Sequence, residues 1–237
     1  MMDARARHAH ALFAGIAAEY EWMGAVLSFG QDARWRRAMV AALAPRPGQL
    51  VLDVASGTGL VARRIGARGA RVIQLDPSEA MLRAGQRVTR EAGLSAALLP
   101  VLGRAERLPF GDATFDAVSF TYLLRYVEDP GATMKELARA LRPGGRLACL
   151  EFHEPRSPVL RAGWIGYTRY VMPLVGALAS PEWRATGVFL GPSITRFYAD
   201  HPLAEQARWW QEAGLRHVHS RVMSLGAGVV WWGELDG

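Results

Sequence analysis

The chain of 237 residues predicts an α/β fold with a doubly wound, mostly parallel sheet, and three observations support this prediction. An apolar run at residues 50–54 meets a small-residue turn at 56–59, and a segment with helical spacing follows. Segments of strand length and helix length alternate up to residue 152, which is typical of right-handed strand–helix–strand units. Pro100 interrupts the third strand, and because proline is confined to sheet edges, a strand order that begins 3-2-1 is favoured.

Composition and charge limit the number of domains, the cellular location and the partners that we expect for this protein. Half of the residues are hydrophobic, which suits one globular domain over residues 1–237. The single cysteine, Cys149, excludes an internal disulfide, and the absence of a leader or a long apolar run predicts a cytoplasmic protein without membrane spans. The net charge of +6 comes mainly from scattered arginines. They form no basic-aromatic cluster, so we expect no nucleic-acid partner, whereas peripheral contact with an anionic membrane stays open.

A helical cap is predicted over residues 1–45, before the first strand. Apolar residues between positions 13 and 27 recur at steps of three and four and form one helical stripe. A second helix should run over 32–43, with Asp32 as its N-cap. Many dehydrogenase domains start directly at the first strand, so this cap argues against that class.

The sheet should then follow in regular order. The predicted strands are 50–54, 71–75, 97–102, 117–121 and 146–152, with helices within 58–68, from Pro77 through Val88, and over 131–141. Residues 142–145 should stop the third of these helices.

Residues 153–200 break this rhythm and are rich in aromatic residues, proline and glycine. We expect an insertion with one or two helices that covers the carboxyl ends of the strands as a lid. A helix over 202–213 and an antiparallel pair, 216–222 and 228–232, should close the chain.

The carboxyl ends of the strands are the expected binding edge, because open parallel sheets bind their ligands there. The glycine turn lets the backbone approach a ligand closely and begins a helix with free N–H groups. Asp76 ends the second strand, where its carboxylate can accept both hydroxyls of a ribose. The spacing Gly57-x-Gly59-x-x-Ala62 also fits dinucleotide binding, so these residues alone do not choose the cofactor.

Four motifs together resemble those of class I S-adenosylmethionine methyltransferases. They are Asp53-x-x-x-Gly57-x-Gly59, Leu75-Asp76-Pro77, Ala105-Glu106-x-Leu108-Pro109-Phe110 and Leu141-Arg142-Pro143-Gly144-Gly145. The resemblance implies the strand order 3-2-1-4-5-7-6, S-adenosyl-L-methionine as cofactor and S-adenosyl-L-homocysteine as its product. It implies cofactor contacts at Asp53, Ser56, Gly57, Thr58, Gly59, Asp76, Pro77, Arg104, Ala105, Glu106 and Thr121. A metal is not expected, because no His, Cys or Asp cluster has the spacing of metal ligands.

A closer resemblance, over nearly the whole chain, is to the UbiE/MenG family of quinone C-methyltransferases of ubiquinone and menaquinone biosynthesis. It is carried by Leu27-Ser28-Phe29-Gly30 with Trp35, Leu124-Arg125-x-Val127, Leu150-Glu151-Phe152, Ser193-Ile194 with His201-Pro202, and Gly226-x-Gly228-Val229-Val230. That family methylates a ring carbon of a polyprenylated benzoquinol or naphthoquinol, so the resemblance implies an apolar quinol substrate.

Carbon methylation needs an electron-rich ring, so a hydroxyl of the quinol should be ionised or strongly polarised. Arg125, just after the fourth strand, is the predicted stabiliser of the phenolate. Glu151 and His153, at the end of the fifth strand, are the candidate bases. The apolar substrate should lie against Tyr20, Met23, Trp35, Tyr122, Trp164 and Tyr167.

Other functions stay open at this point. The chain could methylate another lipid or natural product at oxygen or nitrogen, act as an NAD-dependent oxidoreductase, or carry an apolar ligand without catalysis. The oxidoreductase is disfavoured because Lys135, the only lysine, has no tyrosine four residues before it. A carrier would not need Asp76 and the glycine turn together. The ring type, the tail length and the oligomeric state are not predicted.

Overall fold

The computed structural model describes residues 4–237, without the side chains of residues 4–6 and 8, so the predicted cap over 1–45 begins outside the described residues. The strands are β1 (Leu50–Val54), β2 (Arg71–Asp76), β3 (Leu98–Leu102), β4 (Phe115–Thr121), β5 (Leu141–Phe152), β6 (Leu215–Met223) and β7 (Gly228–Leu235). The helices are α1 (Ala4–Gly15), α2 (Tyr20–Leu27), α3 (Gln31–Leu43), α4 (Leu60–Gly66), α5 (Glu79–Glu91), α6 (Pro130–Arg139), α7 (Pro158–Gly166), α8 (Met172–Ala179), α9 (Pro181–Asp200) and α10 (Leu203–Glu212).

The strands form one sheet in the order β3-β2-β1-β4-β5-β7-β6. The first five strands of the chain pair in parallel, and β7 runs antiparallel to both β5 and β6. Pro100 lies on β3, opposite Gln74, at the edge of the sheet, where a missing backbone donor leaves no ladder bond unmade. The predicted fold class and strand order are confirmed.

Helices cover both faces of the sheet. Successive residues of a strand point to opposite faces, so Val51 and Leu52 of β1 belong to different hydrophobic clusters. Residues of α3 and α4, such as Met39, complete the cluster around Val51. Residues of α6 and α10, such as Trp210, complete the cluster around Leu52. The central strands are therefore buried on both sides, and only their ends can reach a ligand.

The N-terminal region differs from its prediction in two details. The apolar stripe over 13–27 belongs to two helices, α1 and α2, because a turn at residues 16–19 separates them. Asp32 is not the N-cap of α3: Gly30, at φ 71°, takes that position, and Asp32 lies in the first turn of the helix. Its carboxylate is therefore free to bond other side chains.

The boundary between α6 and β5 also differs. Residues 142–145, predicted as a helix stop, belong to β5, which begins at Leu141 instead of Arg146. The helix itself ends at Arg139. The pairing of β4 with β5 shifts between Phe115 and Ala117, and this irregularity takes up the extra residues.

The insertion contains more helix than predicted, since α7, a π-helical stretch (Tyr167–Val171), α8 and α9 follow one another. Pro181 lies in the first turn of α9, where no backbone donor is needed. A Cβ added to Gly187 would lie 2.9 Å from the Pro173 backbone, so α8 and α9 pack very closely.

The insertion and the first two helices form a cap with its own hydrophobic cluster, which comprises Ile16, Met23, Leu27, Met172 and Trp183. Within residues 4–237, no helix has both the length and the apolar character that crossing a membrane requires.

Candidate active site

A cavity of about 610 Å³ lies between the carboxyl ends of the strands and the cap. This volume is within the range of small-molecule sites. The wall is polar where the loops after β1, β2 and β3 reach it, and mostly apolar where α1, α2, α3 and the insertion reach it. We call these two parts the loop end and the ring end.

The loop end is organised by Asp76. Its Oδ2 accepts a hydrogen bond from the Gly57 N–H at 2.8 Å, and its Oδ1 accepts one from the Ser78 N–H at 2.8 Å. Gly59 has φ 84°, and a Cβ there would lie 2.2 Å from Gln74 Nε2, so only glycine fits the turn. One carboxylate thus holds the glycine turn and the start of α5 together.

Asp76 also lines the cavity itself. Burial raises the pKa of its carboxyl, and the two backbone donors counteract part of that rise. Each carboxylate oxygen has two lone pairs, so the group can accept further hydrogen bonds from a ligand.

Two cavity-lining residues of the glycine turn have hydroxyl groups without a partner among the described residues. Ser56 Oγ and Thr58 Oγ1 are buried, and neither has a hydrogen-bond partner among the described residues. Buried polar groups are normally hydrogen-bonded, so these two indicate a polar ligand at the loop end. The donor set therefore fits the hydroxylated, charged end of an adenosine cofactor.

The other predicted cofactor residues divide into two groups. Pro77, Arg104, Ala105, Glu106 and Thr121 line the cavity. Arg104 and Glu106 form an ion pair beside the buried Ala105.

Asp53 and Gly59 do not line the cavity and lie behind the turn. Asp53 Oδ1 accepts a hydrogen bond from Ser119 Oγ at 2.6 Å, which joins β1 to β4. Burial raises the pKa of Asp53 to about 7. These two residues shape the loop end from within the protein.

Arg125 is the charged group of the ring end. It lies in a short 3₁₀ turn (Leu124–Tyr126) after β4, is almost fully buried and lines the cavity. Its Nε lies 3.6 Å from Glu151 Oε2, beyond good hydrogen-bond distance. None of its three side-chain nitrogens has a hydrogen-bond partner in the described part of the chain. The guanidinium is therefore buried next to a carboxylate, but it makes no hydrogen bond to a described residue.

Glu151 supports this turn from behind. Its Oε1 accepts a hydrogen bond from the Leu124 N–H at 3.0 Å, and it does not line the cavity. Burial raises the pKa of Glu151, while the nearby charge of Arg125 lowers it. The arrangement is that of a counter-ion for Arg125.

His153 also lies outside the cavity wall. Its Nδ1 is 2.7 Å from the Gly226 carbonyl oxygen, and its ring packs edge-on against Tyr198. Burial lowers the pKa of the imidazole. Neither candidate base therefore faces the cavity.

Most of the predicted substrate residues line the ring end, namely Tyr20, Trp35, Tyr122, Trp164 and Tyr167. Met23 does not line the cavity, and it is buried within the hydrophobic cluster of the cap. Trp35 Nε1 donates to Ser224 Oγ at 2.8 Å, and the Tyr167 hydroxyl donates to the Leu27 carbonyl. These bonds fix two aromatic walls of the cavity.

Sequence reasoning missed Asp32, Arg36 and Tyr126, which also line the cavity. Arg36 Nε donates to Asp32 Oδ2 at 2.7 Å, and its Nη1 donates to Thr121 Oγ1 at 3.2 Å. The spacing of four residues between Asp32 and Arg36 is a recognisable helical pair, but such pairs are common on solvated surfaces. The Tyr126 hydroxyl is buried and has no hydrogen-bond partner among residues 4–237.

Solved structures share this fold. A chain of the complex between the Haloferax volcanii Trm112 methyltransferase activator and its methyltransferase has a TM-score of 0.64 and 21% identity, over 95% of this chain and 98% of the other. An S-adenosylmethionine-dependent methyltransferase from Aquifex aeolicus has a TM-score of 0.57 and 17% identity, over 84% and 89% of the two chains. At these identities the similarity shows the fold alone.

Named relatives are closer in sequence. The demethylmenaquinone methyltransferase of Mycobacterium tuberculosis H37Rv is 37% identical over 230 residues, 96% of this chain and 94% of the relative. That of Mycobacterium marinum is 35% identical over 229 residues, 96% and 95% of the two chains. The sequence profile of the ubiE/COQ5 methyltransferase family matches residues 1–234. The protein is thus an S-adenosylmethionine-dependent methyltransferase, and the chain belongs to the ubiE/COQ5 methyltransferase family.

Proposed function

We propose that the protein methylates a ring carbon of a reduced, polyprenylated quinone of the demethylmenaquinol class. The relatives that carry the name demethylmenaquinone methyltransferase support this substrate class. The observation that carries the proposal is the buried guanidinium of Arg125, a cavity-lining residue that makes no hydrogen bond to a described residue. Such a group suits an aromatic ring that bears an anionic oxygen.

The loop end would hold S-adenosyl-L-methionine. Asp76 would accept the ribose hydroxyls, and the hydroxyls of Ser56 and Thr58 would bind the methionine end. The segment 104–106 would flank the adenine. When bound, the cofactor supplies the methyl group, and the ring carbon takes it while the electron pair of the S–CH₃ bond stays on sulfur.

Arg125 would stabilise the phenolate from which the ring carbon draws its electrons. A charge interaction is stronger in a buried site than in water, because the effective dielectric constant is lower. The guanidinium would therefore lower the pKa of the bound hydroxyl and favour the ionised ring. Glu151 would balance the charge of Arg125 while the cavity is empty of substrate, and it would hold the turn through the Leu124 N–H.

Within this proposal, Glu151 and His153 act on the shape of the site. Both were predicted as bases, but both lie outside the cavity wall. His153 would hold the end of β5 against the turn at Gly226. Proton removal from the ring would then fall to groups that do line the cavity or to water.

The experiment that tests the proposed function compares the two redox states of one substrate. The protein is incubated with methyl-labelled S-adenosylmethionine and with a demethylated menaquinone in either its reduced or its oxidised form. The masses of the products are then determined by mass spectrometry. We expect methyl transfer to the reduced form only, because the oxidised ring is electron-poor and has no hydroxyl to ionise. Equal rates with both forms, or transfer to neither, would contradict the proposal.

We also propose that the cap touches the membrane from the cytoplasm when the prenylated ring enters. Tyr170, Leu174 and Leu178 of the insertion are largely exposed, and Arg169 lies beside them. An exposed apolar patch with basic residues fits an anionic lipid surface, where each cation contributes about 1 kcal/mol.

Vesicle flotation checks this contact. We expect salt-sensitive binding to anionic vesicles and weak binding to neutral ones. Leu178→Asp, at a residue that is 84% exposed, should reduce the binding. Leu99→Asp is a matched control, since Leu99 is 59% exposed on the edge strand β3. If Leu178→Asp and Leu99→Asp bind vesicles equally, the cap is a lid without a membrane role.

A further inference from the structure

The ring end contains a hydrogen bond whose direction bears on the substrate. The Tyr122 hydroxyl donates to Asp32 Oδ1 at 2.7 Å, and both residues line the cavity. The other oxygen of Asp32, Oδ2, accepts from Arg36 Nε at 2.7 Å. Asp32 thus accepts hydrogen bonds from one tyrosine and one arginine, one on each oxygen.

This direction leaves Tyr122 able only to accept from a ligand. A hydroxyl group has one hydrogen and two lone pairs, and Asp32 takes the hydrogen. Burial, followed by the charge of Asp32, raises the pKa of Tyr122 well above its ordinary value, so the hydroxyl stays protonated.

The backbone and the ring of Tyr122 are both fixed. Its φ of 56° is unusual for a bulky residue, and its N–H donates to the Leu150 carbonyl oxygen at 2.9 Å. Its ring stacks on Phe152, with 4.1 Å between centroids and 11° between planes. Backbone conformations of this kind persist only where the surrounding structure enforces them, and they are concentrated at functional sites.

Arg125 offers the opposite polarity on the same wall. Its guanidinium has N–H groups only, so it can donate but not accept. The Phe152 ring connects the two groups, because it stacks on Tyr122 and lies 5.4 Å from Arg125 Cζ. Arg125, which can only donate, and Tyr122, which can only accept from a ligand, therefore line the same cavity, and both lie against the Phe152 ring.

We infer that these two groups distinguish the two oxygens of a 1,4-dihydroxy aromatic substrate. Arg125 takes the oxygen that loses its proton, and Tyr122 accepts a hydrogen bond from the hydroxyl that keeps its proton. Asp32 and Arg36 are positioning residues, because they fix the direction of the Tyr122 hydroxyl. The inference rests on the proposed function and deepens it: the site selects a ring with a second, free hydroxyl.

A double-mutant cycle, in which one change removes the Tyr122 hydroxyl and the other removes the second hydroxyl of the substrate, tests this selection. The wild type and Tyr122→Phe are each assayed with a reduced dihydroxy ring and with the matched ring that lacks the second hydroxyl. The monohydroxy ring reacts more slowly for intrinsic reasons, but this difference is common to both enzymes and cancels in the ratio of kcat/KM values. Phenylalanine keeps the stack on Phe152, so the variant should fold.

We expect the wild type to prefer the dihydroxy ring at least about tenfold more strongly than Tyr122→Phe does. Removing the second hydroxyl from the substrate costs the wild type a hydrogen bond, whereas Tyr122→Phe has no such bond to lose. Equal preference in the two enzymes would overturn the inference and leave the proposed function standing. If the wild type methylates neither ring, the proposed function fails and the inference fails with it.

Asp32→Asn tests the positioning role separately. An amide can donate to the Tyr122 oxygen as well as accept from it, so the hydroxyl loses its fixed direction. We expect part of the preference to disappear, with unchanged S-adenosylhomocysteine binding in calorimetry. Glu79→Gln, which removes an exposed ion pair with Arg83 on α5, is the control and should keep the full preference. Wild-type preference in Asp32→Asn would overturn the role of Asp32.

Discussion

The two ends of the cavity are built in different ways. The loop end is formed by three short stretches that follow β1, β2 and β3, and the cavity-lining residues of each stretch lie within a few positions of one another. The ring end joins α1, α2 and α3 to the turn after β4, to β5 and to the insertion. The hydrogen bond between Asp32 and Tyr122, for example, spans 90 residues of the chain.

This difference in construction suits two different tasks, the binding of a cofactor at the loop end and the binding of a substrate at the ring end. A loop end built from strand ends and local turns suits a ligand that stays the same, such as an adenosine cofactor. A ring end assembled from distant elements can change its shape and polarity without disturbing the loops. Substitutions at the loop end should therefore change cofactor binding, and those at the ring end should change turnover and substrate choice.

The largest effect is expected from Asp76→Ala, which should remove most of the affinity for S-adenosylmethionine. The two hydrogen bonds that we propose between its carboxylate and the ribose would contribute about 1.5–3 kcal/mol each, and the bonds to Gly57 and Ser78 are lost as well. Isothermal calorimetry measures the change, with Glu79→Ala on the exposed face of α5 as control. An affinity within about twofold of the wild type would remove Asp76 from the cofactor site.

Arg125→Ala should impair the ring end without affecting the loop end. We expect kcat to fall by about 10²–10³, as when one oxyanion donor is removed, while cofactor affinity changes little. Arg125→Lys should recover only part of the rate, because an ammonium lacks the planar donor fork.

A second variant separates catalysis from folding at this position. Removing Arg125 alone leaves Glu151 buried and unpaired, which is destabilising. The double variant Arg125→Ala with Glu151→Gln avoids that charge, so it should fold better and still turn over slowly. Normal turnover in the folded double variant would make Arg125 a structural residue.

Trp164→Ala should show whether the ring end has one part that binds the quinol ring and another that binds its prenyl tail. Trp164 lies in α7, half-buried at the cavity. We expect KM to rise severalfold for long-tailed quinols and less for short-tailed ones, because we propose that the tail, and not the ring, lies against Trp164. Paired kinetics on two tail lengths measure this, and an equal rise for both would place Trp164 against the ring.

The smallest effect concerns Asp53, behind the loop end. Burial raises its folded-state pKa from an ordinary value of 3.8 to about 7. Between those values the unfolded chain loses the proton while the folded protein keeps it, so the free energy of unfolding falls as pH rises through this window. Asp53→Asn abolishes this penalty, so its Tm relative to the wild type should rise from pH 4.5 to pH 7.5. A constant difference would mean that Asp53 is charged throughout.

The same contrast explains what the sequence could predict. Asp76 and the glycine turn are held by local backbone geometry, and such geometry produces a recognisable pattern of glycine and acidic residues in the sequence. The fold class was readable for the same reason, since strands and helices alternate regularly. Pro100 even placed β3 at the edge of the sheet.

The ring end was harder to predict because its residues act through distant partners. Asp32 at a helix start is a common N-cap, and only the packed structure shows that Gly30 takes that position while Asp32 bonds Arg36 and Tyr122. Glu151 has the chemistry of a base, but β5 is central, and a sequence does not show which face of a central strand meets a cavity. Only the packed structure shows Met23 in the cluster of the cap.

The position of the transferred methyl group tests the account most directly. The protein is supplied with S-adenosylmethionine that carries a ¹³C-labelled methyl group and with a reduced demethylated menaquinone, and the product is examined by NMR. We predict one labelled methyl group on the unsubstituted ring carbon between the prenylated carbon and an oxygen-bearing carbon. A labelled methyl on oxygen, or no labelled product, would contradict the account.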